Sequence, residues 1–120
     1  MANFKTSIKA TNYELNPEIQ SYVDKQQQKF DKVLPEDEEI ILGVEVGKLS
    51  NHHHLGHIFR AEFNLAYKGK LFRSEETEET LTAAIDLAAD EMIRQVRKSK
   101  EKRKDLIRKG AAKIKSWIRK

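Results

Sequence analysis

The sequence predicts an α+β fold of order β-α-β-β-β-α: a four-stranded mixed sheet with two helices packed on one face. Three observations predict it. Three segments alternate polar and apolar residues with the period of two that half-buried strands show, and a shorter fourth follows a tight turn. Two other segments carry apolar residues at spacings of three and four. Asn16-Pro17 and Thr80 stand where helices of this kind begin. Each helix has one apolar side and most strands have one polar side, so both helices belong on the same face of the sheet. The opening βαβ unit implies a parallel pair, and the later hairpins make the rest antiparallel.

In order, Ala2, Phe4, Thr6 and Ile8 alternate with Asn3, Lys5, Ser7 and Lys9 as the first strand. Asn16 as N-cap and Pro17 as the first helical residue open a helix whose apolar stripe is Ile19, Tyr22, Val23, Phe30 and Val33. Pro35 stops it, because the residue before a proline is driven out of the helical region. Ile40, Leu42, Val44 and Val46 form the second strand; Ile41 and Gly43 on its other face suggest that one end is covered on both sides. Ser50 to Gly56 reads as a loop. Phe59, Ala61, Phe63, Leu65 and Tyr67 make the third strand, Lys68-Gly69-Lys70 a tight connection, and Leu71 to Glu75 a short fourth strand. Behind the Thr80 cap, Leu81, Ala84, Ile85, Ala88, Met92 and Val96 form the stripe of the last helix. The stripe stops near Ser99, since the same register places Arg103 in the next core position. No Gly or Pro intervenes before Gly110, a C-cap candidate, so the helix should run for about 30 residues, or about 45 Å, with its last third beyond the sheet. Ala111 to Lys120 could form a further short helix with Ile114, Trp117 and Ile118 on one side.

A chain of 120 residues supports one domain. With no Cys it has neither disulfides, thiolate metal sites nor cysteine nucleophiles. Its longest aliphatic run, Ile40-Ile41-Leu42, is far short of the ~20 residues of a membrane span, and Met1 to Ala10 lacks the apolar stretch of a signal peptide. A soluble cytoplasmic domain is therefore expected. The charge is strongly segregated. Residues 94–120 hold thirteen basic side chains and two acids, a net of +11, while the other 93 residues carry 10 basic and 17 acidic groups, a net of −7. Such asymmetry is the footprint of a protein that meets a polyanion.

Catalytic and metal chemistry find little support. His52, His53, His54 and His57 cluster in one loop, but spaced ligands with carboxylates or thiols beside them are missing, so a polar loop touching phosphate fits better than a metal site. Arg60 and Glu62 lie on the polar face of the third strand, where an ion pair with Arg73 or Lys70 is the ordinary explanation. No GxGxxG, P-loop, HExxH or GxSxG motif occurs. The sequence therefore predicts no catalytic residues, no cofactor and no small-molecule substrate. Tyr22 lies on its helix's core stripe. Trp117, amid Lys113, Lys115, Arg119 and Lys120, either docks on the domain or meets RNA or a partner.

Phe59-Arg60-Ala61-Glu62-Phe63, Ala83-Ala84-Ile85-Asp86 and Arg94-Gln95-Val96-Arg97-Lys98-Ser99-Lys100-Glu101-Lys102, in this element order, resemble the bacterial ribosome hibernation-promoting factor and ribosome-associated inhibitor family over roughly residues 2–104. The family fold is similar in shape to double-stranded RNA-binding domains. The resemblance implies a translation inhibitor that occupies the decoding channel of the small ribosomal subunit under stress, blocks mRNA and tRNA, and contacts rRNA, with ribosomal proteins as further candidate partners and no membrane partner. It implies rRNA contacts from Arg94, Lys98, Lys100 and Lys102, to which the charge pattern adds Arg97, Arg103, Lys104 and Arg108. On the first helix Lys29 matches a family position, whereas Gln20 and Gln26 stand where basic residues are common. The alternative is a general double-stranded RNA-binding module without ribosome specificity. Residues 1–104 would form the ribosome-binding domain and 105–120 a basic helical tail. Alone, so short and charged a tail should be largely disordered and should order on rRNA.

Overall fold

The computed structural model describes residues 2–49 and 58–118, with the backbone alone for 103–118. Strand β1 (Asn3–Thr11) leads to helix α1 (Pro17–Val33), which the Asn16 side chain caps by accepting from the Ile19 amide at 2.9 Å. Pro17 at the first helical position removes an amide that would have had no helical partner anyway. Strand β2 (Glu39–Lys48) pairs parallel with β1, β3 (Phe59–Tyr67) antiparallel with β2, and β4 (Lys70–Glu78) antiparallel with β3, in the spatial order β1-β2-β3-β4. Helix α2 (Leu81–Ile118) closes the chain, its first turn capped by Thr80 Oγ1, which accepts from the Ala83 amide at 3.1 Å.

The β3–β4 connection is a two-residue turn with both central residues left-handed, Lys68 at φ 48° and Gly69 at φ 73°, the geometry that matches strand twist. Gly47 answers a different demand: a Cβ there would sit 2.6 Å from the Thr11 carbonyl oxygen of β1.

Both helices cover one face. Phe30 of α1 meets Phe63 of β3 edge-on at 5.3 Å, and α2 packs across β3 and β4. Between them lie the fully buried Val23, Ile40, Leu42, Ala61, Phe63, Ile85, Ala88 and Met92. Four expectations are corrected. Ile41 is 61 % exposed, so β2 is covered on one face only: both helices lie on the other side of the sheet, and Ile41's neighbours in register, Ala66 and then Leu71, lie on the same bare face. Strand β4 runs to Glu78 rather than Glu75, because backbone pairing with β3 carries it through an acidic stretch whose letters do not alternate. Helix α2 does not end at Gly110. One glycine in a helix costs about 1 kcal/mol, which the good helix formers around it absorb. The tail is therefore no separate short helix and not disordered as a free segment would be; its backbone extends α2 to Ile118, where each residue adds to an existing helix without a new nucleation cost. No helix among the described residues is long and apolar enough to cross a membrane.

Candidate nucleic-acid interface

Helix α2 is the element that carries charge away from the fold. Its 38 residues span roughly 57 Å at 1.5 Å each, about twice a nine-residue strand, so the C-terminal half must pass beyond the sheet. Val96, 1 % exposed, is its last buried side chain among the described residues, and three residues on Lys70 Nζ of β4 lies 3.1 Å from Ser99 Oγ. From there the helix leaves the body of the domain.

Most of the sequence-predicted basic residues fall on that departure. Arg94, Arg97, Lys98 and Lys102 are exposed and Lys100 is half-buried. Arg94 has an ion partner, Glu91, at 2.8 Å one turn back, and keeps 71 % of its side chain exposed. An open groove on this surface is lined by Asp90, Ile93, Arg94, Arg97, Lys98 and Glu101. The acids in it lie at its two ends in sequence, and the three cations between them, Arg94, Arg97 and Lys98, share one side of the helix at spacings of three and four. The side chains of Arg103, Lys104 and Arg108 lie outside the described residues, as do His52, His53, His54 and His57.

On α1, Lys29 is exposed, and so are Lys25 and Lys32, which the sequence reading passed over. Gln26, which stands where basic residues are common in the resembled family, is a core residue at 2 % exposure. Its Nε2 approaches Asp86 Oδ1 of α2 at 3.4 Å, and its Oε1 has no hydrogen-bond partner. Tyr22 donates its phenolic hydrogen to Asp86 Oδ2 at 2.6 Å; that bond first, then burial, pushes the phenol up to about 12. These three side chains fix α1 against α2. Lys29, three residues beyond Gln26, is its neighbour along the surface of α1 and is exposed. The spacing Ile19, Val23, Gln26, Phe30, Val33 held the signal for Gln26, hidden by its polar letter.

Across β3 and β4 the charges of the bare sheet face pair with one another. Arg60 pairs with Glu62 and, at 2.9 Å, with Glu75; Arg73 pairs with Glu62 at 2.8 Å and Glu75 at 3.0 Å. The expected Arg73–Glu62 bridge is present, whereas Lys70 points to the helix side and meets Ser99 instead. Bonds from Arg73 and Asn64, with the nearby Arg60 charge, hold the Glu62 carboxyl down at about 2. The Arg60 hydrogen bond likewise lowers Glu75. A carboxylate so fully engaged is a structural anion, not a proton donor for chemistry.

Comparison with known proteins agrees with this arrangement. Residues 6–104 match the family model described as Sigma 54 modulation protein / S30EA ribosomal protein. A ribosome hibernation promotion factor from Picosynechococcus is 30 % identical over 99 residues, 82 % of this chain; the chain spans about half the length of that relative. The crystal structure of the Thermus thermophilus Protein Y N-terminal domain superposes with a TM-score of 0.65 at 29 % identity, over 80 % of this chain and 97 % of that one. A ribosomal subunit interface protein from Coxiella burnetii, 11 % identical, shares the fold at a TM-score of 0.62 over 84 % of this chain and 99 % of that one. With the family model spanning the sheet, both caps and the first basic turns of α2, the chain belongs to the Sigma 54 modulation protein / S30EA ribosomal protein family, to which the ribosome hibernation factors that its sequence resembles belong.

Proposed function

We propose that the chain is a non-enzymatic, cytoplasmic ribosome hibernation factor: it binds the small ribosomal subunit in the decoding channel through rRNA phosphates and keeps mRNA and tRNA out under stress. The observation that carries this reading is the stretch Arg94–Lys102, where five exposed or half-buried cations stand on α2 as it passes the end of the sheet, continued in sequence by Arg103, Lys104 and Arg108. A rigid helix holds like charges at fixed spacing against their mutual repulsion, which an anionic partner relieves. The family membership and the name of the Picosynechococcus relative support the ribosome as that partner. Lys29 adds a cation from α1, and the tail from 105 onward follows the same rRNA or the mRNA path.

The test is sedimentation of purified small subunits and whole ribosomes with the protein, alongside polysome profiles of translating extracts. Co-sedimentation with small subunits and loss of polysomes is the expected result. Binding to RNA duplexes without any preference for ribosomes would replace this reading with that of a general double-stranded RNA-binding module.

A further inference from the structure

The two edges of the sheet are defended unequally. Along β1, Lys5 and Lys9 stand exposed, and α1 reaches over the strand: Gln27 meets the Thr6 hydroxyl and Asp31 accepts from the Ala2 amide at 2.8 Å. Lysines and a covering helix are how an edge strand is kept from pairing with another chain. Strand β4 is the other edge, nine residues long, and no strand lies beyond it among the described residues. Its side chain Leu71 is 83 % exposed, the most exposed large apolar residue described. Its exposed charges, Arg73 and Glu75, are tied to each other and to Glu62 and Arg60 across the sheet, and among the described residues Gln95 Nε2 of α2 donates to the Arg73 carbonyl at 2.8 Å.

That bond also gives the edge its direction. The Arg73 carbonyl points away from β3, so in an antiparallel ladder Leu71, Arg73, Glu75 and Thr77 all present their amides and carbonyls outward. A second β4 pairing antiparallel about a two-fold axis can meet them in three registers centred on the middle of the strand. Centred on Arg73, it sets arginine against arginine; centred on Glu75, it sets glutamate against glutamate. Centred on Ser74, it sets Arg73 against the partner's Glu75 and Leu71 against the partner's Thr77, twice over. Like charges directly opposite destabilise a strand pair and opposite charges stabilise it, so charge selects the third register.

We propose that the free edge of β4 is a self-recognition surface, at which two copies pair antiparallel about Ser74 and join their sheets into one of eight strands. Helix geometry allows it. Since α2 sits across β3 and β4, the two copies of α2 would lie about two strand spacings apart, roughly 10 Å, the distance at which helices pack. Glu91 lies 3.4 Å from Gln95 on the β4 flank of α2, and Leu87, one turn before Glu91 and 43 % exposed, gains an apolar neighbour in that contact. Gln95 would exchange the Arg73 carbonyl for another acceptor, leaving that carbonyl to the partner's Glu75 amide. The proposal does not depend on the ribosomal reading, because the protein alone tests it.

The experiment is sedimentation equilibrium of the full chain at low salt over rising concentration, up to about 1 mM, the weak limit of specific association. A reversible dimer is expected. Arg73→Glu and Glu75→Arg should each weaken it at least tenfold, and the double exchange should restore it. Because those changes also disturb the Glu62 network, Thr77→Pro is the second variant: it removes an outward amide that β3 does not use, so it should leave the melting temperature nearly unchanged and abolish the dimer. A monomer throughout the range overturns the proposal, and so does a dimer that Thr77→Pro leaves intact.

Discussion

The two halves of α2 are one continuous helix put to opposite uses. Between Leu81 and Val96 it buries Leu81, Ala84, Ile85, Ala88, Ala89, Met92 and Val96 on the sheet and on α1, and its acids Asp86, Asp90 and Glu91 are kept here. Between Arg97 and Lys102 it has no apolar residue at all, and four of its six side chains are basic. The first half is specified by packing and tolerates little change. The second is specified by charge and depends on the first for its shape, since a run of like charges makes a poor helix alone but continues one already nucleated. The difference predicts that stability and binding are separable along this element, a prediction that substitutions in the two halves test from opposite sides.

The largest effect should come from Met92→Lys. Met92 has 0 % exposure, and an ammonium in its place has no partner in the core. The domain should lose more than about 4 kcal/mol, read as collapse of the urea midpoint, and ribosome binding should vanish with the fold. Removing the second half from residue 105 should do the reverse: melting temperature within a few degrees of the parent, weaker co-sedimentation at moderate salt. A large fall in melting temperature would place Trp117 on the domain and make the tail a structural element.

Smaller effects sharpen the same boundary from the sheet side. Glu62 titrates at about 2 in the folded chain against an ordinary 4.5. Its contribution to stability is therefore complete above about pH 5 and falls away as pH drops towards 2. Acid unfolding should begin in that window, and Glu62→Gln should flatten the slope of stability against pH there; an unchanged slope would remove Glu62 as its cause. Smallest of all, Tyr22→Phe deletes the bond to Asp86 and should cost about 1 kcal/mol in urea unfolding without changing ribosome affinity.

How far the sequence disclosed this follows from which patterns carry a physical signal. Both helix starts were legible because Asn16 and Thr80 have the chemistry a cap requires, and the strands were legible because Phe59 to Leu65 and Leu42 to Val46 alternate between the two faces. The basic surface was legible as charge, since Arg94, Arg97, Lys98 and Lys102 do lie exposed. Gln26 was not, because a glutamine enters a core only when a specific partner receives it, and Asp86 lies 60 residues away in sequence. The length of β4 was hidden because Glu75, Glu76 and Glu78 place acids on both faces, where pairing with β3 rather than alternation makes the strand. Gly110 misled because a glycine announces a helix end only where the chain must turn, and nothing there requires a turn.

The central claim is that the cations leaving the sheet on α2 bind rRNA phosphates without contributing to the fold. Its most direct test is the affinity for small ribosomal subunits across a series of salt concentrations, for the parent chain and for Arg94→Ala/Lys98→Ala/Lys102→Ala, with thermal melts of both. Each phosphate contact contributes about 0.7–0.9 to the slope of log affinity against log salt, so the triple variant should melt like the parent, bind more weakly and lose about 2–3 from that slope. Equal affinity and equal slope at physiological salt would contradict the account.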